Sequence, residues 1–208
     1  MYRRAWKLDL IARVAARVNA APVAAPAPPE WPAVTAKNHE YLRVRATGTL
    51  LSESATAVRA LTELGSGYWI MTPLRTTDGS IILINRGFVG ASDIGAIGKS
   101  KATPDVQTIT GLLRLSEPGG GFLRHNDPAA GRWYSRDVAA IAHSRGLGAV
   151  APYFIDADRA SSPGTGASPI GGLTVIVFPN NHLLYAITWY TLALMIPVFL
   201  GLSRRDEH

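Results

Sequence analysis

Apolar and polar positions alternate from Leu42 to Leu50, where Leu42, Val44, Ala46, Gly48 and Leu50 are separated by Arg43, Arg45, Thr47 and Thr49. A period of two sends alternate side chains to opposite faces, so this segment predicts a half-buried β-strand. Two further β-rich runs, Tyr68–Leu74 and Ser80–Val89, flank Thr77-Asp78-Gly79, and Asp-Gly is a hairpin turn signal. Val106–Leu115, Pro152–Asp156 and Leu173–Phe178 read as additional strands. A short helix is expected at Val138–Ser144, with Asp137 as its N-cap and Gly146 and Gly148 ending it. Strands that follow one another with one small helical insertion predict an α+β fold. Its core is a mostly antiparallel sheet or barrel-like domain, since closure would remove the exposed edges.

The pattern changes at both ends of the chain. Between Leu183 and Leu202 lie twenty residues without a charge, closed by Arg204 and Arg205. As a helix rising about 1.5 Å per residue, this run matches the roughly 30 Å hydrocarbon core of a bilayer, which predicts a C-terminal transmembrane helix. At the start, Trp6, Leu10, Val14 and Val18 recur every four residues beside Arg3, Arg4, Lys7, Arg13 and Arg17. That is the stripe of an amphipathic basic helix, packed on the domain or lying on anionic headgroups, or else serving as an organellar targeting peptide. From Ala20 to Pro32, five prolines predict an extended, semi-rigid connector. The expected organisation is a basic helix over 1–20, a Pro/Ala-rich connector over 21–36 and a β-rich extramembrane domain over 37–179. A span over 182–203 and a cytoplasmic tail over 204–208 complete it.

Composition narrows the functional classes. Only 17% of the 208 residues are charged, below the quarter typical of soluble proteins, as a membrane span would produce. The net charge of +6 is dispersed, with no basic run interleaved with aromatics, which argues against nucleic-acid binding. Cysteine is absent, which removes disulfides, thiolate chemistry and Cys-based metal sites. Arg204-Arg205 and the uncharged opposite flank place the C-terminus in the cytoplasm or matrix, and the domain in the periplasm or intermembrane space.

Most candidate chemistry dissolves on inspection. Gly98-Lys99-Ser100 resembles the end of a phosphate loop, but Asp93 stands where the first glycine belongs and Pro104 breaks the helix that should hold the anion. His39, His125, His143 and His208 lack the i,i+4 partner of a helical metal site. Asp156 and Asp158 read as turn carboxylates that bond the backbone. No credible acid/base pair or nucleophile constellation emerges.

His182 has a definable setting. Asn180-Asn181 offers an N-cap, which puts His182 in the first turn of the span, where the positive end of the helix dipole keeps an imidazole neutral and its lone pair free. Tyr185 and Trp189 follow on the same face. Two readings stand on the residues alone: a metal or macrocycle seat, or an interfacial aromatic belt with a rim histidine.

Four blocks in order, RRAWKLDLIARV at 3–14, EYLRVRATGTLL at 40–51, ILINRGFVG at 82–90 and PNNHLLYAITWY at 179–190, resemble the Surfeit locus protein family of cytochrome c oxidase assembly factors. ITGLLRL at 109–115 and RWYSRDVAAIA at 132–142 fit the same family. The resemblance implies a non-enzymatic role, delivering or inserting haem a into the catalytic subunit of the oxidase, with haem a synthase as a further candidate partner. It implies His182 as axial ligand of the haem iron, with Tyr185 and Trp189 at the aromatic positions beside it. Asn85, Arg86 and Gly87 match the family's signature strand end and are expected to be structural or partner-facing, with a β-turn anchor and a propionate-pairing arginine both open. The alternative is a membrane scaffold that binds the oxidase subunit without carrying haem. Family members carry a first span immediately before the basic segment, so a span preceding Met1 is expected, in a bacterial inner-membrane protein rather than a mitochondrial one.

Overall fold

The computed structural model describes residues 14–96, 105–121, 124–161, 169–173, 188–193 and 195. They fall in two compact units, residues 1–174 and 175–208.

The first unit is α+β and mostly antiparallel. Its strands are β1 (Val23–Ala24), β2 (Arg43–Leu50), β3 (Thr56–Thr62), β4 (Gly65–Thr76), β5 (Ile81–Gly90), β6 (Gln107–Leu115), β7 (Gly120–Gly121), β8 (Arg124–His125) and β9 (Val150–Ala157). Seven of them lie in the order β1-β2-β6-β9-β5-β4-β3, and a further β2–β4 pairing at Gly48–Leu50 closes β2, β6, β9, β5 and β4 into a barrel. Closure satisfies the backbone of both would-be edges. Within the ring only β5 and β9 run parallel, with Leu83 opposite Phe154 and Asn85 opposite Asp156.

The alternation read along 42–50 fixes this register. Val44, Ala46 and Leu50 are buried, while Arg45 and Thr47 are exposed or half-buried. The inward set joins Leu74, Ile82, Ile84, Ile109, Leu113, Tyr153 and Ile155 in one core drawn from all five ring strands. β5 and β9 are apolar on their other face too, because Leu83 and Phe154 pack outward against Met71, Val58, Trp133 and the Val138–Ser144 helix. A strand covered on both faces has no reason to alternate, hence the unbroken apolar run at Ile81–Ile84. The helix begins as expected, with Asp137 accepting from the Ala140 N–H at 3.1 Å.

The β4–β5 hairpin turns at Asp78-Gly79. Gly79 has φ +85, and Asp78 accepts hydrogen bonds from Thr76 and Ser80 that hold its carboxyl below the usual carboxylate range. The proline-rich stretch is strapped to the barrel. β1 pairs parallel with β2, Pro28–Ala33 forms a 3-10 helix, and the Pro26 carbonyl accepts from Trp31 Nε1 at 3.0 Å and from the buried Tyr153 hydroxyl at 2.8 Å. Residues 14–18 are helical, and Arg17 donates to the Glu40 and Lys37 carbonyls at 3.1 and 2.6 Å.

The expected strand at Leu173–Phe178 lies outside the described residues apart from Leu173, which is in no strand. Of the expected span over 182–203, residues 188–193 and 195 are described; they are helical and exposed. Among the described residues no helix is long and apolar enough to cross a membrane.

Candidate functional site

Asn85-Arg86-Gly87 forms a β-bulge, not a turn. β5 pairs with β4 through Trp69↔Phe88 and then Met71↔Asn85, so Arg86 and Gly87 together face the single residue Ile70. Gly87 sits at φ +122, and a Cβ on it would stand 2.1 Å from the Ile170 carbonyl oxygen. That close approach exists because Phe88 and Ile170 exchange backbone hydrogen bonds at 3.0 and 2.9 Å. Glycine is required here by both φ and space.

Asn85 falls two residues on from Leu83, on the outward face of β5, and is buried there. Its Oδ1 accepts the Gly87 N–H at 3.1 Å, and its Nδ2 donates to Asp156 Oδ1 at 2.8 Å. Asp156, whose side chain is 3% exposed, also meets Arg136 Nη1 at 3.3 Å and Arg114 Nη1 at 3.4 Å. Arg136 grips Glu117 with two donors, Nε at 3.0 Å and Nη2 at 2.6 Å, and its guanidinium lies 4.8 Å from the Phe154 ring centroid. Burial works against the Arg136 charge, but Asp156 and Glu117 outweigh it and hold its pKa above the ordinary value. Arg114 stacks 4.8 Å from the Tyr41 ring centroid and faces Glu40 at 3.8 Å. The turn reading of Asp156 is thereby corrected: it is a buried strand carboxylate neutralised from two neighbouring segments. In sequence, an aspartate inside the apolar run PYFIDA was the available signal, together with Arg114 in the apolar run LLRL; Arg136, between Ser135 and Asp137, carried none.

Arg86 differs from that pair. It is half-buried, no hydrogen bond or ion pair joins its side chain to another described residue, and burial pulls its pKa below the ordinary value.

A second cluster escaped sequence reasoning. Arg59 on β3 and Arg124 on β8 both stand over the ring of Tyr134, at 5.8 and 5.5 Å from its centroid, beside a groove of about 480 Å³. Asn126 fixes that segment, its Oδ1 accepting from the Tyr134 and Ser135 N–H groups at 2.8 and 3.2 Å. No sequence spacing links Arg59 to Arg124, so only the fold reveals them.

His182 and Tyr185 lie outside the described residues, and Trp189 is exposed on the helical segment of the second unit. Asn85 joins Asp156 and Gly87 through its amide side chain. Among the described residues no three His, Asp or Glu side chains converge as a metal cage. His39 accepts from the Thr35 N–H at 3.3 Å, His125 faces the Gly119 carbonyl at 3.4 Å, and His143 is exposed in its helix.

A family model described as the SURF1 family matches residues 1–194. The chain is similar to Surfeit locus protein 1 of Homo sapiens, 36% identical over 92% of this chain and 67% of the human protein. It is 35% identical to Surfeit locus protein 1 of Mus musculus over 91% of this chain and 65% of that protein. A SURF1-like protein of Monosiga brevicollis is 33% identical over 99% of this chain and 81% of its own length. The chain thus spans about two thirds of the human and mouse relatives.

Proposed function

The chain belongs to the SURF1 family, and we propose that it is an assembly factor for haem–copper cytochrome c oxidase, one that binds haem a and aids its insertion into the catalytic subunit. The observation that carries the reading is the family match over residues 1–194, which takes in both the Asn85-Arg86-Gly87 bulge and the segment from Pro179 to Tyr190. The role is non-enzymatic. What it needs is reversible ligation: one neutral imidazole, an apolar face beside it, and an open side for hand-over.

Haem a, when bound, would supply an iron that takes a nitrogen donor; His182 would be that donor, with Tyr185 and Trp189 as the aromatic side chains beside it. The described part of the second unit supports a membrane setting. Trp189, Tyr190, Leu192 and Met195 are 68, 73, 54 and 61% exposed on a helical segment, a surface suited to lipid or to another apolar helix. We place the protein in a bacterial inner membrane, anchored by a C-terminal span over 182–203, with the barrel facing the periplasm and the tail in the cytoplasm. Haem a synthase is the natural donor in this scheme and the oxidase catalytic subunit the acceptor.

The same exposed aromatic face also suits a scaffold that docks the oxidase subunit by helix packing and carries no haem. One variant separates the two. In full-length protein co-produced with haem a synthase, His182→Ala is expected to lose the haem a absorption spectrum while keeping the barrel folded. An unchanged spectrum in that variant would remove the axial-ligand assignment.

A further inference from the structure

The groove at the β3–β4 hairpin is built unlike the buried arginine cluster. Its lining includes Arg59, Leu61, Tyr68, Arg124 and Tyr134, and no lining residue is acidic. Neither Arg59 nor Arg124 is hydrogen-bonded or ion-paired through its side chain to any described residue; both rest against the Tyr134 ring. Two guanidiniums gathered at one aromatic ring repel each other, and an anion placed between them relieves that repulsion.

The backbone beside them is also open. The two-residue connection between Thr62 and Gly65 makes that pair hydrogen-bonded, so along β3 the residues Arg59 and Leu61 direct N–H and C=O to the outer edge. The Arg59 N–H is taken by the Trp133 carbonyl at 2.9 Å. Leu61, next along that edge, meets no described backbone group there, and its side chain is 83% exposed. A free strand edge, an exposed leucine, two tyrosines and two arginines are the composition of a peptide-binding surface.

We propose that this groove docks an acidic, extended segment of a protein partner. Carboxylates of the segment sit on Arg59 and Arg124, its main chain adds to the β3 edge at Leu61, and its apolar positions cover Leu61 and the tyrosine faces. The site is independent of haem, so its failure and that of the haem assignment are separately readable.

The test uses the full-length protein in detergent and a fluorescent dodecapeptide of repeated Glu-Ser-Val-Ser, which as a strand presents glutamate and valine on one face. At about 0.05 M salt the peptide binds, and at about 0.5 M salt it binds more weakly, because surface charge pairs are screened. The double variant Arg59→Gln/Arg124→Gln weakens binding on the order of tenfold. Arg75→Gln, which removes one exposed charge elsewhere, leaves binding within about twofold. In otherwise unaltered protein, a benzoylphenylalanine replacing Leu61 photolabels the peptide and one replacing the exposed Val106 does not, which keeps the test valid if the double variant folds poorly. The proposal is overturned if the glutamate peptide does not bind, or if the same peptide with glutamine in place of glutamate binds equally well. It is also overturned if Arg75→Gln weakens binding as much as the double variant, if labelling is equal from both positions, or if inorganic pyrophosphate displaces the peptide at equal concentration. That last result would mark a small-anion site.

Discussion

Two arginine clusters in one barrel meet opposite fates. Arg114 and Arg136 are surrounded by Asp156, Glu117 and Glu40 and by the rings of Tyr41 and Phe154. Arg59 and Arg124 share one tyrosine ring and have no carboxylate among the described residues. The difference is burial. Guanidiniums as desolvated as those of Arg114 and Arg136 are answered inside the fold, since an isolated buried charge costs several kcal/mol. An exposed one is answered by water until something better arrives, at almost no cost to stability. Half-buried Arg86, with no partner among the described residues, stands between the two cases. Charge satisfied within the fold therefore marks architecture, and charge left at the surface marks where a partner can act.

The largest expected effect breaks the first cluster. Asp156→Ala leaves Arg114 and Arg136 facing each other without their shared carboxylate, and should destabilise the barrel by about 3–5 kcal/mol. A denaturant midpoint within error of wild type would show that Glu117 and Glu40 suffice. Next comes the bulge beside Asn85. Gly87→Ala incurs both a positive φ and a 2.1 Å clash with a backbone carbonyl, so it should cost about 3 kcal/mol or more. Gly79→Ala, also at positive φ but with nothing within 4 Å of its Cβ, should cost only about 1–2 kcal/mol. Equal melting shifts for the two glycine variants would mean the Ile170 contact yields readily. The smallest effect belongs to the second cluster. Arg59→Gln and Arg124→Gln should each move stability by no more than about 0.5 kcal/mol, and a clear loss would place these arginines in the architecture after all.

The same contrast explains how much was legible in the chain. β2 was readable because its polar face is solvated and its period is strict, and the Asp78-Gly79 turn and the Asp137 cap carry local chemistry that needs no tertiary context. β3 was not: its burial alternates, but apolar Leu61 falls on the exposed face with Arg59 and polar Thr56 on the buried one, so the sequence shows no clean period. Nor was the strap, because proline content announces stiffness but not the Tyr153 hydroxyl that anchors it at Pro26. Asn85, Arg86 and Gly87 stood out as a signature, yet whether they made a turn or a bulge depended on the β4 partner strand. Asp156 was misread for a similar reason: its partners Arg114 and Arg136 lie 42 and 20 residues away in sequence. Barrel closure, which rests on three β2–β4 pairs, left no local trace at all.

A haem carrier of the proposed kind must hold its ligand and then release it. Full-length protein co-produced with haem a synthase and purified gently should carry close to one haem a per chain, and the His182→Ala protein prepared alongside should carry only traces. Trace haem in both preparations would overturn the haem-carrier proposal and leave the scaffold reading.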